Sequence, residues 1–283
     1  MAEIRPGVAA KRRRFRELHE AGCFAIPNPW DIGSARFLQG LGFPALATTS
    51  AGFAWSRGRA DGGLSRDGAL AHLHAMVDAT DLPLNADFEN GFASDATGVA
   101  ESVRLAVATG VAGVSIEDST GDAATPLFAI ETAVERIRAA RKAIDAAGGD
   151  TLLVGRAECF LVGRPDLAET VARLRAYAKA GADCLYAPGL RPREQIAAVV
   201  AAVAPKPVNL LIGWASDLTL ADAAALGVRR VSVGGALARV AWGGFIRAAR
   251  EIAAHGTFNG LAEGASGAEL NAFFRDDHAK PGA

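Results

Sequence analysis

Eight short runs rich in apolar and β-branched residues punctuate the chain: Cys23–Ile26, Ala45–Thr48, Leu84–Ala86, Gly113–Ile116, Leu152–Arg156, Cys184–Tyr186, Val208–Leu211 and Arg230–Val233. Their starts lie 22 to 39 residues apart, enough for a crossover helix and two loops between consecutive strands. The intervening stretches carry helical spacing. In Pro165 to Ala180, Leu167, Val171, Leu174 and Ala178 share a face, and Gly181 follows as a stop. Similar glycine junctions recur at Gly40-Leu41-Gly42-Phe43, Thr109-Gly110-Val111-Ala112-Gly113 and Leu226-Gly227-Val228, marking a repeated helix-to-strand turn. The rhythm predicts an α/β chain of eight parallel units, hence a (β/α)8 barrel of the TIM type with its active site at the C-terminal ends of the strands. An open doubly wound sheet is the rival, disfavoured because the unit count is eight and no GxGxxG opens the first helix. Residues 1–283 read as one barrel domain, with 261–283 as a C-terminal helical extension. Its amphipathic segment, Gly267 to Phe274, would pack on the barrel or on a partner subunit.

Composition narrows the function classes. Half of the 283 residues are hydrophobic and 32 are glycine, a soluble, enzyme-like composition with small side chains for helix-on-sheet packing. Thirty basic against 31 acidic residues leave a net charge of −1, without the basic excess that nucleic-acid binding uses. Cys23, Cys159 and Cys184 are far apart and form no CxxC pair, which predicts reduced, buried thiols. The basic start, Lys11 to Arg14, lacks an apolar signal core, and the weakly polar run Ile196 to Ala204 is too short to span a membrane. The expectation is a cytoplasmic protein with neither nucleic-acid nor membrane partners.

Polar residues collect where the strands end. Asn85-Ala86-Asp87-Phe88-Glu89-Asn90-Gly91 follows the third strand, and Asn85, Asp87 and Glu89 would share a face if that strand continued. Glu117-Asp118 ends the fourth strand, and Asp61 lies in the glycine-rich loop after the second. Any one of these acids alone reads equally well as a helix cap. Converging on one rim, they repel one another unless a cation intervenes, and oxygen ligands suit Mg2+ or Mn2+. Arg156 ends the fifth strand, fit to hold a carboxylate or phosphonate or to pair with Glu158 or Glu117. Thr48-Thr49-Ser50-Ala51-Gly52 offers hydroxyls and N–H groups for an anion nest. Asn209, polar inside the seventh strand, needs either a backbone or a substrate partner. Gly234-Gly235 follows the eighth strand, where barrels often bind phosphate, and Asp31 reads as a helix N-cap beside Trp30 at the rim. None of the five histidines falls at a strand end, and Cys159 reads as an inert thiol.

These residues together resemble the isocitrate lyase/phosphoenolpyruvate mutase superfamily from about Phe24 to Arg239. The resemblance rests on Pro29-Trp30-Asp31-Ile32-Gly33-Ser34-Ala35, Ser50-Ala51-Gly52 with Asp61, Asn85-Ala86-Asp87 with Gly91, Ile116-Glu117-Asp118, and Arg156-Ala157-Glu158. It implies a Mg2+-dependent barrel (Mn2+ as substitute) that binds a small 2-oxo or 2-hydroxy acid and stabilises an enolate when a C–C or P–C bond breaks. On that resemblance Asp61, Asp87, Glu117 and position 85 are metal-directed, and Arg156, Asp87 and Glu117 are catalytic. Ser50, Ala51 and Gly52 cradle the substrate carboxylate, Trp30 covers the substrate, and Asn209 and Arg156 contact it. A homodimer or homotetramer with an exchanged C-terminal helix is also implied.

Two departures sharpen the expectation. Asn85 stands where the family has aspartate, which removes one metal-directed charge unless Glu89 compensates. The carbon–carbon lyases carry Lys-Lys-Cys-Gly-His in the mobile loop after the fourth strand, whereas here that loop reads Ser119-Thr120-Gly121-Asp122-Ala123-Ala124-Thr125-Pro126. Decarboxylation of an oxaloacetate-like 2-oxo acid, with the last proton taken from water, makes the smallest demand on what remains. Phosphonomutase or phosphonopyruvate hydrolase chemistry, and a non-catalytic oxo-acid-binding barrel, are the alternatives.

Overall fold

The computed structural model describes residues 5–278. Eight parallel strands form one sheet: β1 (Phe24–Ile26), β2 (Leu46–Ala47), β3 (Leu84–Asp87), β4 (Gly113–Glu117), β5 (Leu152–Arg156), β6 (Cys184–Tyr186), β7 (Val208–Leu211) and β8 (Arg230–Ser232). Neighbours follow chain order, and β1 also pairs with β8. Between β1 and β2 the Ala47 N–H donates to the carbonyl of Pro27 at 3.0 Å, closing the ring. All eight strands sit within a residue or two of the sequence expectation, and the fold is the TIM-type barrel.

Helices alternate with the strands: α1 (Val8–Glu20), α2 (Ile32–Gly40), α3 (Ser50–Ser56), α4 (Arg66–Ala79), α5 (Ala96–Ala108), α6 (Ile130–Ala146), α7 (Leu167–Lys179), α8 (Arg193–Val203), α9 (Leu220–Ala225), α10 (Ala236–His255) and α11 (Gly267–His278). Period-two alternation turns Leu84, Ala86, Val114, Ile116, Leu153, Leu185, Leu210 and Val231 outward, where they pack with helix residues such as Leu73, Val103, Ile137 and Val199 in the main core. Inside the barrel, Phe15 of α1 joins Phe24, Ile26, Ala45, Ala47, Ala112 and Leu152 to plug the N-terminal end. The C-terminal end is left open to a cavity.

Asp31 caps α2 as expected: its Oδ1 accepts the Ser34 N–H at 2.7 Å, and the Ser34 hydroxyl accepts the Asp31 N–H in return. The C-terminal segment forms a longer helix than its amphipathic run suggests. It lies against α2 of its own chain, where Asp277 pairs with buried Arg36 and the Phe273 ring occupies the space that a side chain at Gly40 would fill. Gly40→Leu therefore displaces Phe273, and a fall of several degrees in the thermal midpoint is expected in calorimetry.

Candidate active site

A cavity of about 170 Å3 opens at the C-terminal ends of the strands and is lined by Ser50, Ala51, Asp61, Asn85, Asp87, Arg156 and Asn209, all singled out in the sequence. At its centre the Arg156 guanidinium donates to Asp87 Oδ1 at 3.1 Å, lies 3.2 Å from Glu117 Oε2, and pairs through Nε with buried Glu158. The Tyr186 ring lies beneath it, 5.1 Å from the guanidinium carbon. Asp87 Oδ2 accepts both the Ser50 N–H and the Ser50 hydroxyl at 3.0 Å, and the Asp87 N–H donates to Thr48 Oγ1 at 2.9 Å. The β2–α3 turn thus fixes the Asp87 carboxylate from behind.

Three carboxyl groups, Asp87, Glu117 and Glu158, contact this one guanidinium, and two more, Asp61 and Glu89, feel the charge of Asp87. Burial first, then Glu158, Asp87 and Glu89, holds Glu117 well above the usual carboxylate range despite Arg156. Burial and Asp87 also raise Asp61. Arg156 itself is pushed up, because the surrounding acids outweigh the burial that would lower it. Such a concentration of buried acids is relieved either by protonation, the direction in which these shifts point, or by a further cation.

Glu89 was read in the sequence as sharing a face with Asn85 and Asp87 if the strand continued, and as a substitute for the charge missing at Asn85. The strand stops at Asp87 and the chain turns through a positive φ of 49° at Glu89, a conformation that non-glycine residues adopt rarely and that clusters at functional sites. Its Oε1 is buried with no hydrogen-bond partner among the described residues. Burial, Asp87 and Asp61 push its pKa up to about 7. Asn85 is directed elsewhere: its Oδ1 accepts from Arg230 Nη1 at 3.2 Å and its amide donates to the Ala86 carbonyl at 3.1 Å. In this structure Asn85, though it lines the cavity beside Asp87, is engaged by Arg230, and the carboxyl near Asp87 that has no partner among the described residues is Glu89.

A divalent cation fits this set on donor chemistry: hard oxygen ligands, excess negative charge and an unpartnered carboxyl oxygen. Among the described residues no three acid, histidine or cysteine side chains already converge at coordinating distance, because Asp87 and Glu117 are turned onto Arg156. A cation held by Asp87 and Glu117 would draw those carboxylates away from the guanidinium.

A pH dependence follows from Glu89. Its folded pKa of about 7 lies above the ordinary 4.5, so the stabilisation it gives is complete below about pH 4.5 and is lost as pH rises through 7. The thermal midpoint of the metal-free protein is expected to fall between pH 5 and pH 8, and Mg2+ should recover most of the fall. A flat calorimetric profile contradicts this electrostatic picture.

Other expected contacts are rearranged. The N–H of Gly52 is taken by Thr49 Oγ1 at 3.2 Å, and a Cβ at Gly52 would press on Thr49, Trp30 and Ala238. Gly52 is a packing residue, so of the expected nest Ser50 supports Asp87 and only Ala51 keeps its N–H without an acceptor among the described residues. Trp30 lines a separate depression with Ser56, Ala241, Trp242 and Phe245, away from the cavity. Asn209, expected to meet backbone or substrate, instead donates to Ser232 Oγ at 2.9 Å and accepts from Arg230 Nε at 2.9 Å. Ser119, Thr120 and Asp122 bond within their own loop rather than lining the cavity, with Thr120 Oγ1 donating to the Thr125 carbonyl at 2.6 Å. Cys159 is buried and its thiol is pushed up by burial, as an inert thiol should be.

The sequence reading missed Asn28 and Arg230, and it named Asp118 without the bracing role it has here. Asn28 accepts the N–H groups of Val233 and Gly234 at 2.9 and 2.8 Å and donates to the Thr48 carbonyl at 2.9 Å, stitching β1, β2 and β8 at the cavity mouth. Asp118 accepts the Glu158 N–H at 2.8 Å, the Tyr177 hydroxyl at 2.5 Å and Arg173 Nη1 at 3.1 Å, and so braces the partner of Arg156. Arg230 lies inside the barrel, marked only by its polar side chain in a strand.

The family model described as phosphoenolpyruvate phosphomutase matches residues 15–253. The chain belongs to the isocitrate lyase/phosphoenolpyruvate mutase superfamily. Its relatives are lyases and mutases, and it is an enzyme of that group. It is 31% identical to the oxaloacetate decarboxylase of Paraburkholderia xenovorans over 235 residues, 80% of this chain and 75% of the relative. A crystal structure described as a candidate lyase/mutase of Burkholderia cenocepacia superimposes with a TM-score of 0.91 at 50% identity, covering 95% of this chain and 97% of the other. An oxaloacetate acetylhydrolase in complex with its product oxalate gives a TM-score of 0.83 at 27% identity, covering 95% and 96%. Superfamily members act on small molecules, typically with a divalent metal, and no described helix here is long and apolar enough to cross a membrane.

Proposed function

We propose that the chain is a Mg2+-dependent lyase that cleaves or decarboxylates a small 2-oxo acid of the oxaloacetate type, with the electron pair of the broken bond taken up as an enolate. The observation that carries this reading is the cluster of Asp87, Glu117 and Glu158 around one guanidinium, with Asp61 and the unpartnered Glu89 close enough to Asp87 for its charge to raise both, at the open end of the barrel. Asp61, Asp87, Glu89 and Glu117 would hold the cation, which supplies a Lewis acid for negative charge on the 2-oxo oxygen. Arg156, kept protonated and aimed by Glu158, brings a second positive group to the same charge. Ser50 holds Asp87 in place, and Ala51 offers its N–H to the substrate carboxylate. No cysteine or histidine stands in the β4–α6 loop, which favours decarboxylation with protonation from water. A relative named oxaloacetate decarboxylase supports the same choice.

The test is a substrate panel led by oxaloacetate, followed by pyruvate formation with Mg2+ and with EDTA. Metal-dependent turnover is the expected result. A phosphorus NMR signal that shifts on incubation with phosphonopyruvate, with oxaloacetate unchanged, would instead establish P–C chemistry. Binding without turnover of any member would favour a non-catalytic barrel.

A homodimer or homotetramer is part of the same reading. Along α10 only Ala238 is buried, while Val240 is 73% and Phe245 62% exposed beside Trp242 and Ile246. Trp242, Phe245 and Ile246 share one side of the helix, and an exposed apolar stripe of this kind supports an interface with a second copy. Phe245→Glu with Val240→Glu is expected to halve or quarter the particle mass in sedimentation velocity.

A further inference from the structure

The middle layer of a TIM barrel is ordinarily filled by branched aliphatic side chains. Here it is polar. Asn85, Ser115, Asn209, Arg230 and Ser232 are all buried and all line the cavity, which therefore reaches down past the acidic rim to a guanidinium at its floor. Arg230 is only 3% exposed. Its Nε donates to Asn209 Oδ1 at 2.9 Å, and its Nη1 reaches Asn85 Oδ1 at 3.2 Å and His19 Nε2 at 3.4 Å. Every one of these partners is neutral, since burial and Arg230 together push the His19 pKa down to about 3. The Phe15 ring, 5.9 Å away, closes the side toward α1.

A buried charge is normally paired with an opposite one. Arg156 has three acids in contact, whereas Arg230 has no carboxylate within ion-pair distance among the described residues. The amides beside it are already committed, Asn85 Nδ2 to the Ala86 carbonyl and Asn209 Nδ2 to Ser232. The second amino group of Arg230, Nη2, bonds to no described residue yet is not sealed from the cavity. It is the unspent donor of the floor.

We propose that this floor is an anion subsite, in which Arg230 receives the distal carboxylate of a dianionic acid whose 2-oxo or 2-hydroxy carboxylate end is held at the rim. The proposal rests on the reading of the rim given above, and adds a requirement: the preferred ligand carries a second carboxylate at its far end. Asn209 and Asn85 orient the guanidinium, and the missing counter-ion is the ligand itself.

Malate and 2-hydroxybutyrate differ by a carboxylate in place of a methyl group and test the point directly. In calorimetric titrations with Mg2+ present, the native protein is expected to prefer malate by about 10- to 100-fold, the worth of a charge-assisted hydrogen bond to a buried guanidinium. Arg230→Gln should bring the two ligands within about threefold of each other, and Arg230→Lys should keep part of the preference. Where Arg230→Gln does not fold, Asn85→Asp replaces it, placing an internal carboxylate against Nη1 and removing the preference without losing the cation. A malate preference absent from the native protein, or unchanged in Arg230→Gln or Asn85→Asp, overturns the proposal. Oxalate titrated in parallel reports on the rim alone: failure of oxalate to bind counts against the metal site, while the malate comparison continues to read Arg230.

Discussion

Asp87→Ala is expected to lower kcat/KM by about 10³-fold or more while the barrel stays folded. Asp87 is the acid on which the rest of the site converges: Ser50 holds one oxygen, Arg156 contacts the other, and its charge raises Asp61, Glu89 and Glu117. Truncation removes a ligand of the proposed cation and the repulsion that the cation would relieve. Arg156 keeps Glu117 and Glu158, so no buried charge is orphaned, and the change in thermal midpoint should be a few degrees at most. Substantial residual turnover in Asp87→Ala would overturn the assignment of this cluster. Loss of folding would make Asp87 a structural residue.

Arg156→Met should be the most damaging substitution for stability, by about 3–5 kcal/mol near neutral pH. Glu117 and Glu158 would then be buried without their counter-ion, and Glu158 would keep only the brace that Asp118 gives its backbone. The sign of its pH dependence is distinctive. Burial already raises both carboxyls above their ordinary value of 4.5, and removal of the cation raises them further. A carboxyl with a raised folded pKa stabilises the protein below its unfolded pKa and loses that contribution as pH rises through the folded one. Arg156→Met should thus approach the native thermal midpoint near pH 4.5 and fall away from it steadily toward pH 8. A deficit independent of pH would mean that packing on Tyr186, rather than charge, is what Arg156 supplies.

The barrel was legible because its strands are buried on both faces and so read as continuous apolar runs, separated by helices of the right length. The acidic rim was legible for a related reason: Asp87, Glu117 and Arg156 interrupt those runs at the point where each strand leaves the core. What was not legible is the side-chain network beneath the rim. Counting every second residue from Asn85 assumes that the strand runs on to Glu89, but the backbone turns after Asp87, and Asn85 finds a partner in Arg230, 145 positions away. Asn209 joins the same network through Ser232 and Arg230, contacts that no local pattern encodes. Trp30 was given its substrate-covering role by resemblance, and Gly52 was read both from the local hydroxyl and glycine run and from the resemblance. Trp30 faces α10, and Gly52 is small because Thr49, Trp30 and Ala238 leave no room for a side chain.

The most direct test of the account is calorimetric titration of the native protein with oxalate, a mimic of the enolate, in Mg2+ and in EDTA. Binding that requires Mg2+ and disappears in Asp87→Ala is the predicted result. Binding that is equally tight without metal, or absent under both conditions, would contradict the claim that this carboxylate cluster is a divalent-cation site for a 2-oxo acid.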